Sequence, residues 1–355
     1  MSENYEYLKE NLKSKIPLKF KDGNFRILAV SDFHGVCDYD VRLIRDLEAI
    51  LDRVKPDFLF VLGDMAWKDA LDSEENLSEM LSGIFEPVEK RKIPWAHVFG
   101  NHDNDVIHCG FSQQEVYEKF EYNLTKRGPE SIHGIGNFVL PVLSEDGSDI
   151  VFNIWGLDSH DSMGDFMREF SLGDPGNKWD MQCVYPSCLH DWGAGYDTLN
   201  FDQVMWYFRS SEELEKHAGH KIPGIMGMHI PLPEYVIGYK NTAETYYEGT
   251  RKEGVGCPVL NSGMFNAILD RGDIKTLVSG HDHINDYTAT YLGINMTYDA
   301  GLNYDGYCDD GLRGGRVFEI TENDPWNIKT YMVRSKDCVE DYPGKCVRKS
   351  ELRGR

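Results

Sequence analysis

Short apolar runs alternate with amphipathic segments along most of the chain. The segment 41–54 shows the helical pattern clearly, because its apolar residues recur every three or four positions from Ile44 to Val54. Predicted strands span 25–30, 57–62, 95–99, 150–157, 224–228 and 274–278, and predicted helices span 41–54, 76–92 and 113–124. Alternation of this kind favours helices packed on both faces of β-sheet, which is an α/β sandwich.

Two regions depart from this alternation. The region 287–334 is richer in strands than in helices. The segment of about 158–198 is heavy in Gly, Asp and Trp and has little periodicity, so it is predicted to be a long insertion over one rim, where substrate-selecting loops tend to lie. No internal repeat and no linker divides the chain. We therefore predict a single domain over 1–335, followed by a basic, solvated C-terminal tail over 336–355.

Composition and charge exclude several classes of function. The chain has 355 residues, of which 41% are hydrophobic and 27% are charged, as expected of a globular protein. Its formal net charge of −22 argues against a surface for nucleic acid or an anionic membrane, since either would need clustered Lys and Arg. A site for an anionic substrate must therefore carry its own local positive charge, which metal ions could supply.

The sequence gives little indication of a secretory or membrane context. Its first 20 residues lack the apolar core of a signal peptide, and no run approaches the roughly 18 apolar residues of a membrane span. The eight cysteines show no C-x-x-C spacing, which favours reduced thiols and a cytoplasmic location, with no obligate partner implied. Disulfides between Cys183 and Cys188 and between Cys338 and Cys346 remain open alternatives.

Five of the predicted strands run into Asp, Asn or His at their carboxyl ends, where open α/β sheets build their sites. These side chains are Asp32, His34, Asp64, Asn101, His102, Asp103, His229, His281 and His283. A single junction such as 279–286 is typical of a solvated turn, but five junctions in one chain are hard to explain in that way. A glycine at 63, 100 or 280 precedes a candidate ligand and would let the chain turn sharply off its strand.

The candidate ligands are chemically coherent. Carboxylate, amide oxygen and imidazole suit divalent Mn, Fe, Zn or Ni, and the set contains no thiolate. One carboxylate shared between two groups of ligands would hold two metals about 3.5 Å apart, the separation used for in-line phosphoryl displacement. The residues therefore predict a centre with two divalent metal ions.

The order of these motifs resembles that of the calcineurin-like metallophosphoesterases. The chain shows D-x-H, G-D, G-N-H-D, a lone His and G-H-x-H in sequence, and the resemblance covers roughly 25–320. The stretches "HIPLPEY" and "GDIKTLVSGHDHINDY" are similar to the purple-acid-phosphatase-like subgroup of plants and fungi. The resemblance implies a four-layer α/β/β/α sandwich of two mixed sheets flanked by helices.

The resemblance also implies a role for each candidate residue. Asp64 would bridge the two metals, and each metal would have three further ligands. The first set is Asp32, His34 and His283, and the second set is Asn101, His229 and His281. His102 would be the general acid, oriented by Asp103.

The reaction implied is hydrolysis of phosphomonoesters, on a phosphorylated small molecule or a phosphoprotein. A hydroxide bridging both ions would attack phosphorus in line, with Asn101 and the metals stabilising charge on the equatorial oxygens. His102 would protonate the departing alcohol. Two alternatives stay open: a phosphodiesterase on the same centre, and a non-catalytic scaffold, although scaffolds usually lose ligands or the acid histidine and this chain keeps all of them.

One position departs from the pattern of true purple acid phosphatases. Those enzymes carry a tyrosine three residues after the bridging aspartate, and its phenolate on ferric iron gives the colour. Trp67 occupies that position here, and its indole offers a donor but no oxygen to a metal. The purple enzymes also lack a histidine equivalent to His34. This departure therefore predicts a colourless or faintly coloured protein that is active with Mn²⁺ or another divalent ion.

The remaining histidines match no motif. His97 lies within a predicted strand and is predicted to be a core residue. The others are predicted to lie at the surface, and they are His108, His133, His160, His190, His217 and His220. Among these, His133, His160 and His190 are candidates to reach a substrate phosphate from the rim.

Overall fold

The computed structural model describes residue 14 and residues 16–103, 112–161, 196–239, 245–258 and 260–352. Strands β1 to β13 span Leu18–Lys19, Asn24–Val30, Phe58–Leu62, Trp95–Val98, Phe138–Leu143, Ile150–Gly156, Gly224–Met228, Tyr246–Glu248, Ile274–Ser279, Thr288–Tyr291, Ile294–Tyr298, Gly314–Thr321 and Asp324–Arg334. Helices α1 to α7 span Arg42–Val54, Glu74–Lys90, Gln113–Tyr117, Phe201–Ala218, Tyr235–Tyr239, Met264–Arg271 and Lys349–Leu352.

The strands form two mixed sheets that pack face to face. The eight-stranded sheet has the order β1-β5-β6-β7-β9-β11-β10-β8, and the five-stranded sheet has the order β13-β12-β2-β3-β4. Their inner faces share one hydrophobic core, in which the Phe60 ring of one sheet lies 5.8 Å from the Phe138 ring of the other. Because both inner faces are apolar, burying them against each other stabilises the sandwich.

Helices cover the outer face of each sheet. Leu47 of α1 and Phe85 of α2 belong to the core on the outside of the five-stranded sheet. Tyr207 of α4 and Ile268 of α6 belong to the core on the outside of the eight-stranded sheet. The layers are therefore helix, sheet, sheet, helix, and the predicted fold class is confirmed.

Polar caps define where two of the covering helices begin. The Ser73 side chain accepts a hydrogen bond from the Asn76 backbone N–H at 3.1 Å, at the start of α2. At the start of α4, Asn200 and Gln203 form a capping box, with the Asn200 N–H donating to Gln203 Oε1 at 2.8 Å. These side chains satisfy backbone groups that the first helical turn leaves unpaired.

The predicted helix over 113–124 was too long, since α3 ends at Tyr117. The following residues instead run alongside β4. The Trp95 N–H donates to the Tyr122 carbonyl at 2.9 Å, and the Leu124 N–H donates to the Trp95 carbonyl at 2.7 Å. Pairing with the open edge of β4 therefore competes successfully with continuation of the helix.

Three further predictions meet the structure in different ways. The strand-rich region 287–334 is confirmed, because it contains β10 to β13. The predicted insertion over 158–198 lies mostly outside the described residues, since 162–195 are not described. Among the described cysteines, Cys338 and Cys346 are free, so no disulfide joins them, whereas Cys183 and Cys188 lie outside the described residues.

The C-terminal segment is held to the sandwich rather than free in solvent. The Val41 N–H donates to the Val347 carbonyl at 2.9 Å, and Arg348 forms an ion pair with Asp305. Arg42 also donates to the Gly344 carbonyl at 3.1 Å. The expected solvated tail is thus anchored by contacts that its basic composition does not reveal. None of the described helices is both long and apolar enough to span a bilayer.

Candidate metal centre

The candidate ligands meet at one edge of the sandwich. β2, β3 and β4 are parallel neighbours in one sheet, and β7 and β9 are parallel neighbours in the other. The turns that follow these five strands therefore converge where the carboxyl ends of the two sheets lie side by side. They carry Asp32, His34, Asp64, Asn101, His102, Asp103, His229, His281 and His283.

A first cluster contains Asp32, His34, Asp64 and His283, all buried, with one potential ligand atom from each within 4.8 Å of the others. His283 Nε2 lies 3.0 Å from Asp32 Oδ1, and His34 Nε2 lies 3.6 Å from Asp64 Oδ2. The two imidazoles approach closely as well, with 3.1 Å between their Nε2 atoms. Carboxylate and imidazole donors thus point at one common position.

A second cluster contains Asp64, His229 and His281, which are also buried. His229 Nε2 lies 3.2 Å from Asp64 Oδ2 and 3.1 Å from Asn101 Oδ1. His281 Nδ1 lies 3.3 Å from His229 Nε2. Asp64 is common to both clusters, which together contain six residues. Asn101 adjoins them through His229, so the structure brings together all seven side chains that were predicted as ligands.

Backbone carbonyls orient two of the histidines. His229 Nδ1 lies 2.7 Å from the Leu62 carbonyl, and His283 Nδ1 lies 2.7 Å from the Tyr307 carbonyl. A hydrogen bond from Nδ1–H fixes the tautomer and leaves the Nε2 lone pair directed into the cluster. This is the usual arrangement around a histidine that binds a metal.

The donor atoms fit a pair of divalent cations. Oδ1 of Asp32 and Oδ2 of Asp64 are buried and accept no hydrogen bond from the described residues. Buried carboxylate oxygens are costly unless they are paired or bind a metal. Since both oxygens face imidazole nitrogens, a cation at each cluster would satisfy oxygen and nitrogen lone pairs together.

Burial and the nearby carboxylates shift the pKa values of the cluster histidines in opposite directions. Burial lowers the pKa of His34 to about 4 and that of His281 to about 3, so both are neutral, the form that binds metals. Burial acts in the same direction on His229, but Asp64 and Asp32 outweigh it and raise the pKa of His229 to about 10. The carboxylates thus favour a positive charge beside them, which a bound cation would provide.

Strained backbone accompanies the ligands. Four non-glycine residues of the cluster have positive φ: Asp32 (54°), His34 (45°), Asp64 (51°) and His281 (72°). A positive φ is uncommon outside glycine, although aspartate and histidine adopt it more often than most residues, and such strain is concentrated at functional sites. The surrounding packing therefore holds the turns in conformations that aim the side chains inward.

Two glycines permit a close approach of the turns. Gly63 has a φ of +89°, and a Cβ there would lie 2.7 Å from His229 Nδ1. A Cβ on Gly100 would collide with the carboxylate and backbone nitrogen of Asp64. The sequence predicted sharp turns at these glycines; the structure shows that Gly100 is needed for space, since its φ is not positive.

His102 and Asp103 lie beside the first cluster. The His102 ring is half-buried and lies 5.1 Å from the His34 ring, and its backbone N–H donates to Asp64 Oδ1 at 2.8 Å. The buried Asp103 carboxylate accepts hydrogen bonds from the backbone N–H groups of Met65, Ala66 and Gly100 at 2.9–3.0 Å. Asp103 therefore ties together the turns that carry Asp64 and His102, while its role in orienting the His102 ring stays a prediction.

Aromatic side chains surround the clusters, and the motifs did not identify all of them. Tyr307 stacks on His283, with ring centroids 4.0 Å apart and an angle of 10°. Tyr196 meets His281 edge to face at 4.3 Å, and Trp67 lies 5.3 Å from His34. Tyr307 follows β11 in a turn without a recognisable motif, so only the folded chain brings it to the site.

Several of the other histidines have structural partners, and His108 lies outside the described residues. His97 is buried in β4, as predicted, with its Nδ1 3.1 Å from Asn123 Nδ2. His133 pairs with Asp202 at 2.6 Å, and His160 Nε2 lies 2.9 Å from Gln203 Oε1. These contacts engage the two described rim candidates, and His190 lies outside the described residues.

Comparison with known proteins places these motifs in context. The calcineurin-like phosphoesterase family matches residues 25–285. Among curated relatives, "Probable inactive purple acid phosphatase 14" of Arabidopsis thaliana is 29% identical over 84% of this chain and 75% of its own length. "Probable inactive purple acid phosphatase 29" of the same plant is 28% identical over 88% of this chain and 81% of its own length.

Two further likenesses extend the comparison. "Phosphatase DCR2" of Saccharomyces cerevisiae is 29% identical over 87% of this chain, which spans only 54% of the yeast protein. A dimetal phosphatase from Danio rerio superposes with a TM-score of 0.53 at 11% identity, covering 88% of this chain and 99% of that one. This structural likeness supports the fold and nothing finer.

Proposed function

Since the chain belongs to the calcineurin-like phosphoesterase family, we propose that it is a metal-dependent phosphatase that hydrolyses phosphomonoesters of small molecules or proteins. The observation that carries the proposal is the sharing of Asp64 between two buried clusters of potential ligands. A carboxylate in that position suits two neighbouring cations, the arrangement used for in-line phosphoryl displacement. The names of the yeast relative and of the Danio rerio structure agree with this activity.

The first cation would be held by Asp32, His34, Asp64 and His283, and the second by Asp64, Asn101, His229 and His281. When bound, two divalent ions would supply positive charge to the phosphate and lower the pKa of a water molecule. The chain as a whole carries a net charge of −22. Positive charge confined to this buried edge would make it the place where a phosphate dianion is attracted.

Asn101 would bind a phosphate oxygen through its side-chain N–H₂. Its Oδ1 lies 3.1 Å from His229 Nε2, which leaves the amide nitrogen to donate elsewhere. A neutral donor held by a buried turn can stabilise the charge that develops on the equatorial oxygens without needing to reorganise.

His102 would give its proton to the oxygen of the departing alcohol. It is half-buried, and the hydrogen bond from its backbone to Asp64 fixes its position relative to both clusters. Trp67 packs against the same ring, with centroids 5.7 Å apart. An imidazole positioned in this way suits general acid catalysis.

A second candidate function is binding of phosphoesters without turnover. The names of the plant relatives favour it, because each is called probable inactive. The side chains found here argue for catalysis instead, since this chain has a carboxylate shared between clusters and a histidine beside them.

The test is a substrate screen on protein loaded with Mn²⁺. We expect faster hydrolysis of phosphomonoesters than of phosphodiesters, and loss of both activities after chelation. A chain with Asp64→Asn should be inactive, whereas Asp324→Asn, the same change at the exposed start of β13, should behave as the unmodified protein. Faster diester hydrolysis would indicate a phosphodiesterase, and metal binding without any turnover would favour the non-catalytic function.

A further inference from the structure

Tyr307 is exposed and yet fixed in place. Its surface is 54% accessible, while one face of its ring stacks on His283 at 4.0 Å. Its hydroxyl donates to Glu253 Oε2 at 3.1 Å, and Glu253 Oε1 accepts the Ile284 N–H at 2.8 Å. The ring is therefore anchored at its edge and on its inner face, and its outer face is left to solvent beside the first cluster.

The other two aromatic side chains at the site offer less open surface. Lys68 places its ammonium 3.6 Å from the centroid of the Trp67 ring and so covers one face of the indole. Tyr196 is half-buried and meets His281 edge to face. Among the described aromatic residues that contact the cluster histidines, Tyr307 thus presents the largest open face.

A fixed aromatic face beside a reaction centre is a suitable platform for a flat group. Stacking would bury apolar surface on both partners, and the ring would lose little conformational freedom because it is already anchored. The platform lies on the rim next to His283, so a substrate whose phosphate occupies the clusters can lay its organic part on it.

The charges around Tyr307 restrict what that organic part can be. Its hydroxyl is bonded to the carboxylate of Glu253, and the nearby Asp309 is paired with Lys252. A second phosphate or a carboxylate above the ring would meet the Glu253 charge, so a neutral or cationic group is favoured.

We propose that Tyr307 selects substrates in which a single phosphate is esterified to a neutral or cationic aromatic group, phosphotyrosyl side chains included. This inference rests on the proposed phosphatase function and specifies its substrate class. It makes Tyr307 a specificity-determining residue that contacts substrate through the outer face of its ring.

The test compares two peptides of one sequence, one with phosphotyrosine and one with phosphoserine, on Mn²⁺-loaded protein. Tyr307→Leu should lower the ratio of the two kcat/KM values about 3- to 10-fold, the range expected for one aromatic pair. Because the ratio is measured within each protein, incomplete metal loading cancels. Tyr307→Phe keeps the ring and should keep the ratio, and Tyr246→Leu, at an exposed tyrosine of β8, is the matched control.

A binding measurement separates this inference from the proposed activity. Benzylphosphonate should bind the metal-loaded protein more tightly than propylphosphonate, and Tyr307→Leu should reduce that preference about 3- to 10-fold. A protein that binds with this preference but turns nothing over would overturn the activity and support the inference. An unchanged ratio in Tyr307→Leu, or no phosphonate binding to the unmodified protein, would overturn the inference.

Discussion

The two sheets contribute different chemistry to the candidate centre. The turns after β2, β3 and β4 of the five-stranded sheet supply all the carboxylates and the amide, from Asp32, Asp64 and Asn101, together with the imidazole of His34. The turns after β7 and β9 of the eight-stranded sheet supply imidazoles only, and these are His229, His281 and His283. Each cluster contains residues from both sheets, so the centre is complete only when the sandwich is assembled.

The two sheets therefore differ in the charge that they bring to the metal centre. The five-stranded sheet carries the negative charge that attracts cations, and burial there is tolerable only if that charge is compensated. The eight-stranded sheet adds neutral donors that complete the coordination without adding charge. Because both clusters share Asp64, a change to this residue of the five-stranded sheet should affect both cations, whereas a change to one histidine of the eight-stranded sheet should affect one.

The largest effect is expected from Asp64→Asn on the five-stranded sheet. The change removes a charge that both clusters share, so metal content should fall from two ions toward none, and hydrolysis should fall to background. Elemental analysis after dialysis measures the metal, with Asp324→Asn as control. Retention of two ions and full turnover would refute the assigned site.

His229→Ala on the eight-stranded sheet should have a smaller effect on metal binding. His229 belongs only to the second cluster, where it lies 3.2 Å from Asp64. We expect one ion per chain to remain and hydrolysis to be strongly reduced, since the reaction uses both cations. Loss of both ions together would show that the clusters do not load independently. It would contradict the proposal that a histidine of the eight-stranded sheet affects one cation only.

His102→Ala should leave both ions in place, because His102 is not a member of either cluster. The change should lower kcat roughly 10²- to 10⁴-fold for an alkyl phosphate, whose leaving group needs a proton. It should cost much less for an activated aryl phosphate. Equal losses with both substrates would argue against the role of general acid.

The sheets also differ in how well the sequence predicts them. β2, β3 and β4 consist mostly of apolar residues, and each was predicted within one residue of its observed bounds. Their ligands were found because a strand end in such a sheet is a recognisable place. The eight-stranded sheet contains β1, β5 and β8, which were not predicted.

Two of the unpredicted strands have physical explanations. β5 contains Pro141, which lacks a backbone donor and reads as a break, yet it pairs opposite Asn153 of β6 inside the sheet. β8 has only three residues and exists through its pairing with β10. Tyr307 is a similar case, since its contact with His283 joins positions 24 residues apart. Tertiary contacts of this kind leave no local pattern.

A subtler contrast concerns His97, a buried histidine within strand β4 rather than in a turn that follows a strand. Burial lowers its pKa to about 3, so the folded protein keeps it neutral while the unfolded chain takes up a proton below about pH 6.5. The unfolding free energy should therefore fall as the pH falls below that value, by up to about 1.4 kcal/mol per pH unit from this residue. His97→Gln, which does not titrate, should lose stability less steeply in urea titrations between pH 7 and pH 4. Parallel curves for the two proteins would contradict this assignment.

The smallest expected effect concerns the visible spectrum, in which no intense absorption band is predicted. Purple acid phosphatases owe their colour to a phenolate on ferric iron, and Trp67 stands where that tyrosine would be, with its ring 5.3 Å from His34. The hydroxyl of the nearby Tyr307 donates a hydrogen bond to Glu253, and the Tyr307 ring stacks on His283. The phenol oxygen of Tyr307 is therefore directed away from the first cluster. A cluster with imidazoles in place of a phenolate carries less ligand charge and favours divalent ions over ferric iron. Iron-loaded, oxidised protein should therefore show no intense visible charge-transfer band. Should such a band appear, Tyr196→Phe and Tyr307→Phe would identify the phenolate responsible, and the first cluster would have to include a tyrosine from the eight-stranded side of the site.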